Sequence, residues 1–97
     1  MKDRIGIVYS PGYGAGWSTW GRPEMALDQT LANMLEDGKP YSEIEAYCKV
    51  AWPDEYLGGL EDCVVMWVEK GTQFIIKEYD GSESVVFNHD NYWMTAE

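Results

Sequence analysis

Residues 10–22 read Ser-Pro-Gly-Tyr-Gly-Ala-Gly-Trp-Ser-Thr-Trp-Gly-Arg, and they hold the side chains and amides best suited to gripping a ligand. Four of the thirteen are glycine, and three are large aromatics, Tyr13, Trp17 and Trp20. Consecutive glycine-rich amides can curl into a nest that binds an anion. The amides of Gly12, Gly14 and Gly16, with Ser10, Ser18, Thr19 and Arg22 as side-chain donors, would suit a phosphate. Tyr13, Trp17 and Trp20 would suit a planar base, because aromatic faces stack and their polar edges still hydrogen-bond. The stretch is not a dinucleotide fingerprint, since Trp17 stands where the third glycine belongs, and no Gly-Lys-Ser/Thr follows to make a P-loop. The competing reading is a loop folded over a sheet edge with its tryptophans in the core.

Other constellations are thinner. Glu78, Asp80 and Glu83 surround a turn, where paired carboxylates could do acid–base work or simply be solvated. Glu78, Asp80 and Ser82 could also hydrogen-bond ribose hydroxyls or complete the loop's pocket from a neighbouring subunit. His89 is the single histidine, and beside Asp90 alone it makes neither a metal site nor a catalytic pair. No Gly-x-Ser-x-Gly elbow is present. The sequence therefore points to a binding protein without catalytic, metal or cofactor residues.

The elements that must position these residues are legible from periodicity. Residues 4–9 read as a strand, with Ile5, Ile7 and Tyr9 alternating with Gly6 and Val8. Both of its faces are largely apolar, which predicts a central strand. Pro23 and Glu24 open a helical region in which Leu27, Leu31, Met34 and Leu35 share a face; Asp28 could instead cap a shorter helix. Gly38 and Pro40 stop it. Ser42 and Glu45 match a capping box for a second helix, with Ile44, Tyr47, Cys48 and Ala51 as its buried stripe and Pro53 past its end. Strands follow at 63–68, 72–79 and 82–88, the last two joined by Asp80-Gly81, a type I′ hairpin signal. The aromatic tail Asn91-Tyr92-Trp93-Met94 should pack on the sheet or on another chain. The expected class is α+β, a single domain over residues 1–97, β-α-α-β-β-β, with a mainly antiparallel sheet and a helical pair on one face.

Composition bounds the partners. The chain has 97 residues, a net charge of −10 and a hydrophobic fraction of 45%, too apolar for disorder. Its five Trp and seven Tyr exceed what so thin a core can shelter, which favours a homo-oligomer. Residues 1–22, with Lys2, Arg4, Arg22 and Asp3, sum to +2; the remainder, with sixteen acids against Lys39, Lys49, Lys70 and Lys77, sums to −12. Such an acidic body repels nucleic acid, although it can also serve solubility alone. No apolar run is long enough to span a membrane, and the first residues do not read as a signal peptide. Cys48 and Cys63, fifteen residues apart without a CxxC pattern, read as reduced packing residues, consistent with a cytoplasmic protein.

Two blocks carry a resemblance. Ile5 to Trp20, and the hairpin with Thr72, Phe74, Ile76, Glu78, Tyr79, Asp80, Gly81 and Glu83, resemble a family of small, mostly uncharacterised proteins of tailed bacteriophages and prophages. The likeness covers nearly the whole chain and implies an origin more than an activity. Phage accessory proteins of this size often counter host immunity. The resemblance thus implies an anti-defence protein that sequesters a nucleotide-derived signal, of the cyclic oligonucleotide or cyclic ADP-ribose type, in the cytoplasm of the infected cell. The alternative is an acidic inhibitor that blocks the nucleic-acid groove of a host nuclease or CRISPR effector.

Overall fold

The structure is a computed structural model that describes residues 4–87 and 94–96. Lys2, His89, Asp90 and the tail residues Asn91 to Trp93 lie outside the described residues. The elements are β1 (Arg4–Tyr9), α1 (Gln29–Glu36), α2 (Tyr41–Ala51), β2 (Val64–Glu69), β3 (Gln73–Tyr79), β4 (Ser82–Phe87) and a two-residue β5 (Met94–Thr95). Short 3-10 turns at Pro23–Ala26 and Leu60–Asp62 precede α1 and β2. The class is α+β in the expected order.

The strands pair antiparallel in two sheets rather than one. β1 and β2 form a ribbon with Ile7 opposite Met66, and β3 sits between β4 and β5. The ribbon is the middle layer of three. On one side, Val8, Val65 and Trp67 pack with Leu31 and Ala32 of α1, Ile44 and Cys48 of α2, and Trp17, Met25, Trp52, Leu60 and Cys63. On the other, Ile5, Ile7, Tyr9 and Val68 pack with Phe74, Ile76 and Val85 of the second sheet and with Ala26, Leu27 and Ala96. Period-2 alternation sends odd and even residues of β1 to opposite layers. Its two apolar faces thus mark the centre of a stack, although in its own sheet it has one neighbour. α1 comes close over Gly6, where an added Cβ would lie 2.7 Å from that of Ala32.

The open edge of β1 is covered by side chains. The amide of Gln29 accepts the Gly6 N–H at 2.9 Å and donates to the Gly6 carbonyl at 3.0 Å, standing in for a third strand. Asp28 caps α1 by accepting the Leu31 N–H at 3.1 Å, so the shorter helix forms. Leu27 is thereby released to the opposite layer. The capping box at Ser42 does not form. α2 begins at Tyr41, because the Pro40 carbonyl already takes the N–H groups of Glu43 and Ile44, at 3.0 and 3.1 Å. In α2, Ile44 and Cys48 are buried, Tyr47 is half-buried and Ala51 is exposed. Asp80 and Gly81 both have positive φ, 50° and 84°, as a type I′ turn requires. Both cysteines are buried and free. Among the described residues no helix is long and apolar enough to cross a membrane.

Candidate functional site: the glycine loop and the hairpin it grips

The loop that follows β1 folds over the β3–β4 turn, and a buried carboxylate joins them. Glu83 of β4 is 1% exposed. Its Oε1 accepts the Ser10 N–H at 2.9 Å. Its Oε2 accepts the N–H groups of Trp17 and Thr19 at 2.7 and 3.0 Å, and the Thr19 hydroxyl at 2.5 Å. The Glu83 N–H returns a bond to the Ser10 carbonyl at 2.7 Å. The amides that converge on an anion are those of Ser10, Trp17 and Thr19 rather than the Gly12, Gly14 and Gly16 amides expected to cradle a phosphate, and the anion is a carboxylate of the same chain.

The other predicted residues divide between the seam and the surface. Along the seam, Gly14 donates to the Asp80 carbonyl at 2.6 Å and Ser82 Oγ donates to the Pro11 carbonyl at 2.7 Å. Ser10 is buried, with its hydroxyl donating to the Ala15 carbonyl at 3.2 Å. Gly12 lies against Asp62. Gly16 has no room for a side chain, because a Cβ there would meet Thr19 Oγ1, Trp20 Cδ1 and Glu83 Oε2. Ser18 is buried with its hydroxyl unpartnered among the described residues. Trp17 is a core residue and presents no face to a ligand: it is 0% exposed, donates Nε1–H to the Met25 carbonyl at 2.9 Å, and stands edge-on to Trp52 at 5.8 Å. The stacking role assigned to Trp17 is therefore corrected. A loop that leaves its strand with small residues can fold back and bury its first tryptophan.

Several aromatics stay exposed at this surface. Tyr13 is 74% exposed, Trp20 44% and Tyr56 56%. Trp20 and Tyr56 stack on each other, with centroids 6.0 Å apart and planes 29° apart. The indole N–H of Trp20 donates to Glu78 Oε2 at 3.2 Å, and the same oxygen accepts the Gly81 N–H at 2.7 Å. The Gly81 bond first, and the indole second, hold the Glu78 carboxyl below the usual carboxylate range. Arg22 follows on the same loop, 3.5 Å from Glu55 and 3.7 Å from Glu24, both as surface ion pairs. It lines an open cleft of about 310 Å³ together with Trp52, Pro53 and Glu55. Arg4 sits at the far end of β1, opposite Glu69, and does not approach this surface through the ribbon.

Sequence reasoning set the turn beside the loop either as a ribose contact or as a contribution from a neighbouring subunit, and the two meet within one chain. It missed Glu83 as the anchor and Tyr56 as the stacking partner. The parity of β4 held a signal for Glu83, since residues 83 and 85 share a strand face and Val85 packs inward. Among the described residues, no three His, Cys, Asp or Glu side chains converge in a way that would hold a metal. Compared with protein-family models, curated proteins and solved structures, the chain matches none of them.

Proposed function

We propose that the protein is a non-catalytic binding protein of bacteriophage origin that sequesters a nucleotide-derived signalling molecule, of the cyclic oligonucleotide or cyclic ADP-ribose type. The observation that carries this reading is the exposed Trp20 ring, fixed on one side by Tyr56 and at its edge by Glu78, with Arg22 two residues along the loop. A fixed aromatic platform with a guanidinium on the same loop suits a base and a phosphate. Because Glu83 takes the converging amides, the phosphate contact passes to Arg22, whose ion pairs are exposed and cost little to exchange. The exposed Tyr13, Trp20, Tyr56 and Tyr79 favour a homo-oligomer in which such a site is covered.

The test is thermal unfolding against cyclic dinucleotides, cyclic trinucleotides and ADP-ribose derivatives. A ligand at a hundred times its dissociation constant stabilises by about 2.7 kcal/mol, a shift on the order of ten degrees in a chain this short. The shift should vanish in Trp20→Ala, which removes an exposed side chain, and fall in Arg22→Ala. No shift with any member of the panel overturns the reading.

One observation favours a second reading. Asp54, Asp62, Glu78 and Asp80 are all exposed, beside or along the same loop and hairpin as the aromatics. An aromatic surface set among carboxylates also fits the basic groove of a nucleic-acid-binding host protein. Capture of such a protein should weaken steeply between low and high salt; salt-independent capture argues against it.

A further inference from the structure

If Trp20 is a platform for a base, the atoms at its edge select which base, and this inference rests on the nucleotide reading above. Glu78 takes both of its hydrogen bonds, from Gly81 and from the Trp20 indole, on Oε2. Oε1 is left open among the described residues, beside the ring on which the base would lie. The two bonds fix the carboxylate in place and keep it ionised at neutral pH. An ionised carboxylate only accepts hydrogen bonds. It therefore repels a base edge that leads with a lone pair and attracts one that leads with adjacent N–H groups.

The geometry points to a guanine as the base that stacks on Trp20, with Oε1 of Glu78 accepting its N1–H and N2–H groups together. Guanine is the one common base with two donors side by side. Adenine flanks its amino group with the acceptors N1 and N7, cytosine places N3 beside its amino group, and uracil sets N3–H between two carbonyls. Glu78 is thus the specificity-determining residue, and Arg22 is the phosphate contact.

The full chain is titrated calorimetrically with cyclic di-GMP and cyclic di-AMP. The guanine ligand should bind about fivefold or more tightly, the lower end of what a base-edge contact provides, because Oε1 alone takes both donors. Glu78→Gln keeps a carbonyl oxygen for Gly81 and Trp20 and turns an amide –NH₂ outward. It should therefore erase the guanine preference and raise the relative affinity for adenine, which glutamine recognises. A purely structural role for Glu78 would weaken both ligands equally. Equal or tighter binding of cyclic di-AMP by the unaltered chain overturns the guanine assignment and leaves the nucleotide reading standing. Binding of neither ligand, with no thermal shift across the wider panel, removes both.

Discussion

Replacing Glu83 with alanine should be among the most damaging single changes in the molecule. The substitution strips the acceptor from three backbone N–H groups, those of Ser10, Trp17 and Thr19, and from the Thr19 hydroxyl. Each buried donor left unsatisfied costs about 1–3 kcal/mol. Water entering the vacated space would satisfy some of them, which brings the total to about 3–5 kcal/mol. A domain of this size has about 5–15 kcal/mol in all, so the loss is a large share of it. At about 4–8 °C per kcal/mol, Tm should fall by roughly 12–40 °C. Urea unfolding followed by tryptophan fluorescence gives the free energy directly. Glu83→Gln keeps the shape and one carbonyl oxygen but turns an –NH₂ toward N–H groups, so it should fall between the wild type and alanine. A loss under about 1 kcal/mol for Glu83→Ala would refute the reasoning, because it would mean that the carboxylate does not hold the loop.

Three further outcomes follow from the same geometry. Gly81→Ala should cost clearly more than Gly71→Ala: both have positive φ, worth about 1–2 kcal/mol, but a Cβ at Gly81 also collides with the Ala15 backbone while that at Gly71 meets open space, and paired urea melts measure the difference. Trp17→Ala should lose about 3–5 kcal/mol as a core truncation, whereas Trp20→Ala should lose only about 0.5–1.5 kcal/mol, the worth of its stacking on Tyr56; equal effects would place the two rings wrongly. Burial pushes the Cys48 thiol up to about 12 from an ordinary 9.0, and burial followed by the Glu83 charge pushes Cys63 up as well. Because the folded state holds these protons more tightly, their contribution to stability is complete below pH 9 and declines as pH rises toward 12. Thiol labelling at pH 8 should accordingly be slow in the folded protein and complete in urea, and rapid labelling of the native state would contradict the burial.

The strands were legible because their patterns are local. Val64–Glu69, Gln73–Tyr79 and Ser82–Phe87 lie within a residue of the expected runs, and Asp80-Gly81 sets its turn by backbone sterics alone. Asp28, Gly38 and Pro53 marked helix ends for equally local reasons. The division into two sheets was not legible, because two apolar faces on β1 describe burial without saying what covers each face. Ser42 failed as a cap because α2 already begins at Tyr41, with the N–H groups of Glu43 and Ile44 bonded to the Pro40 carbonyl, which puts Ser42 inside the helix. The site was half legible. The aromatics and the turn were visible as types, but the amides that converge are those of Ser10, Trp17 and Thr19 rather than the glycines', and the anion was sought outside the chain when Glu83 supplies it. Whether Trp17 or Trp20 faces outward depended on where Met25 and Trp52 lie, which spacing does not tell.

The pairing of β1 with β2 joins Arg4 to Glu69 and Tyr9 to Val64 across most of the chain. Contacts so distant in sequence form slowly, because a long loop must close before any contact rewards it. The β3–β4 hairpin and the helical pair are local and can form early. β1, by contrast, must wait during synthesis until β2 has emerged, and the glycine loop must wait longer still, for Glu83. Until then a strand with two apolar faces and a loop with two tryptophans stay uncovered, the kind of surface on which chains aggregate or recruit chaperones. The Glu83 carboxylate is therefore also a late checkpoint in the chain's maturation: it closes the loop only once nearly everything else is in place.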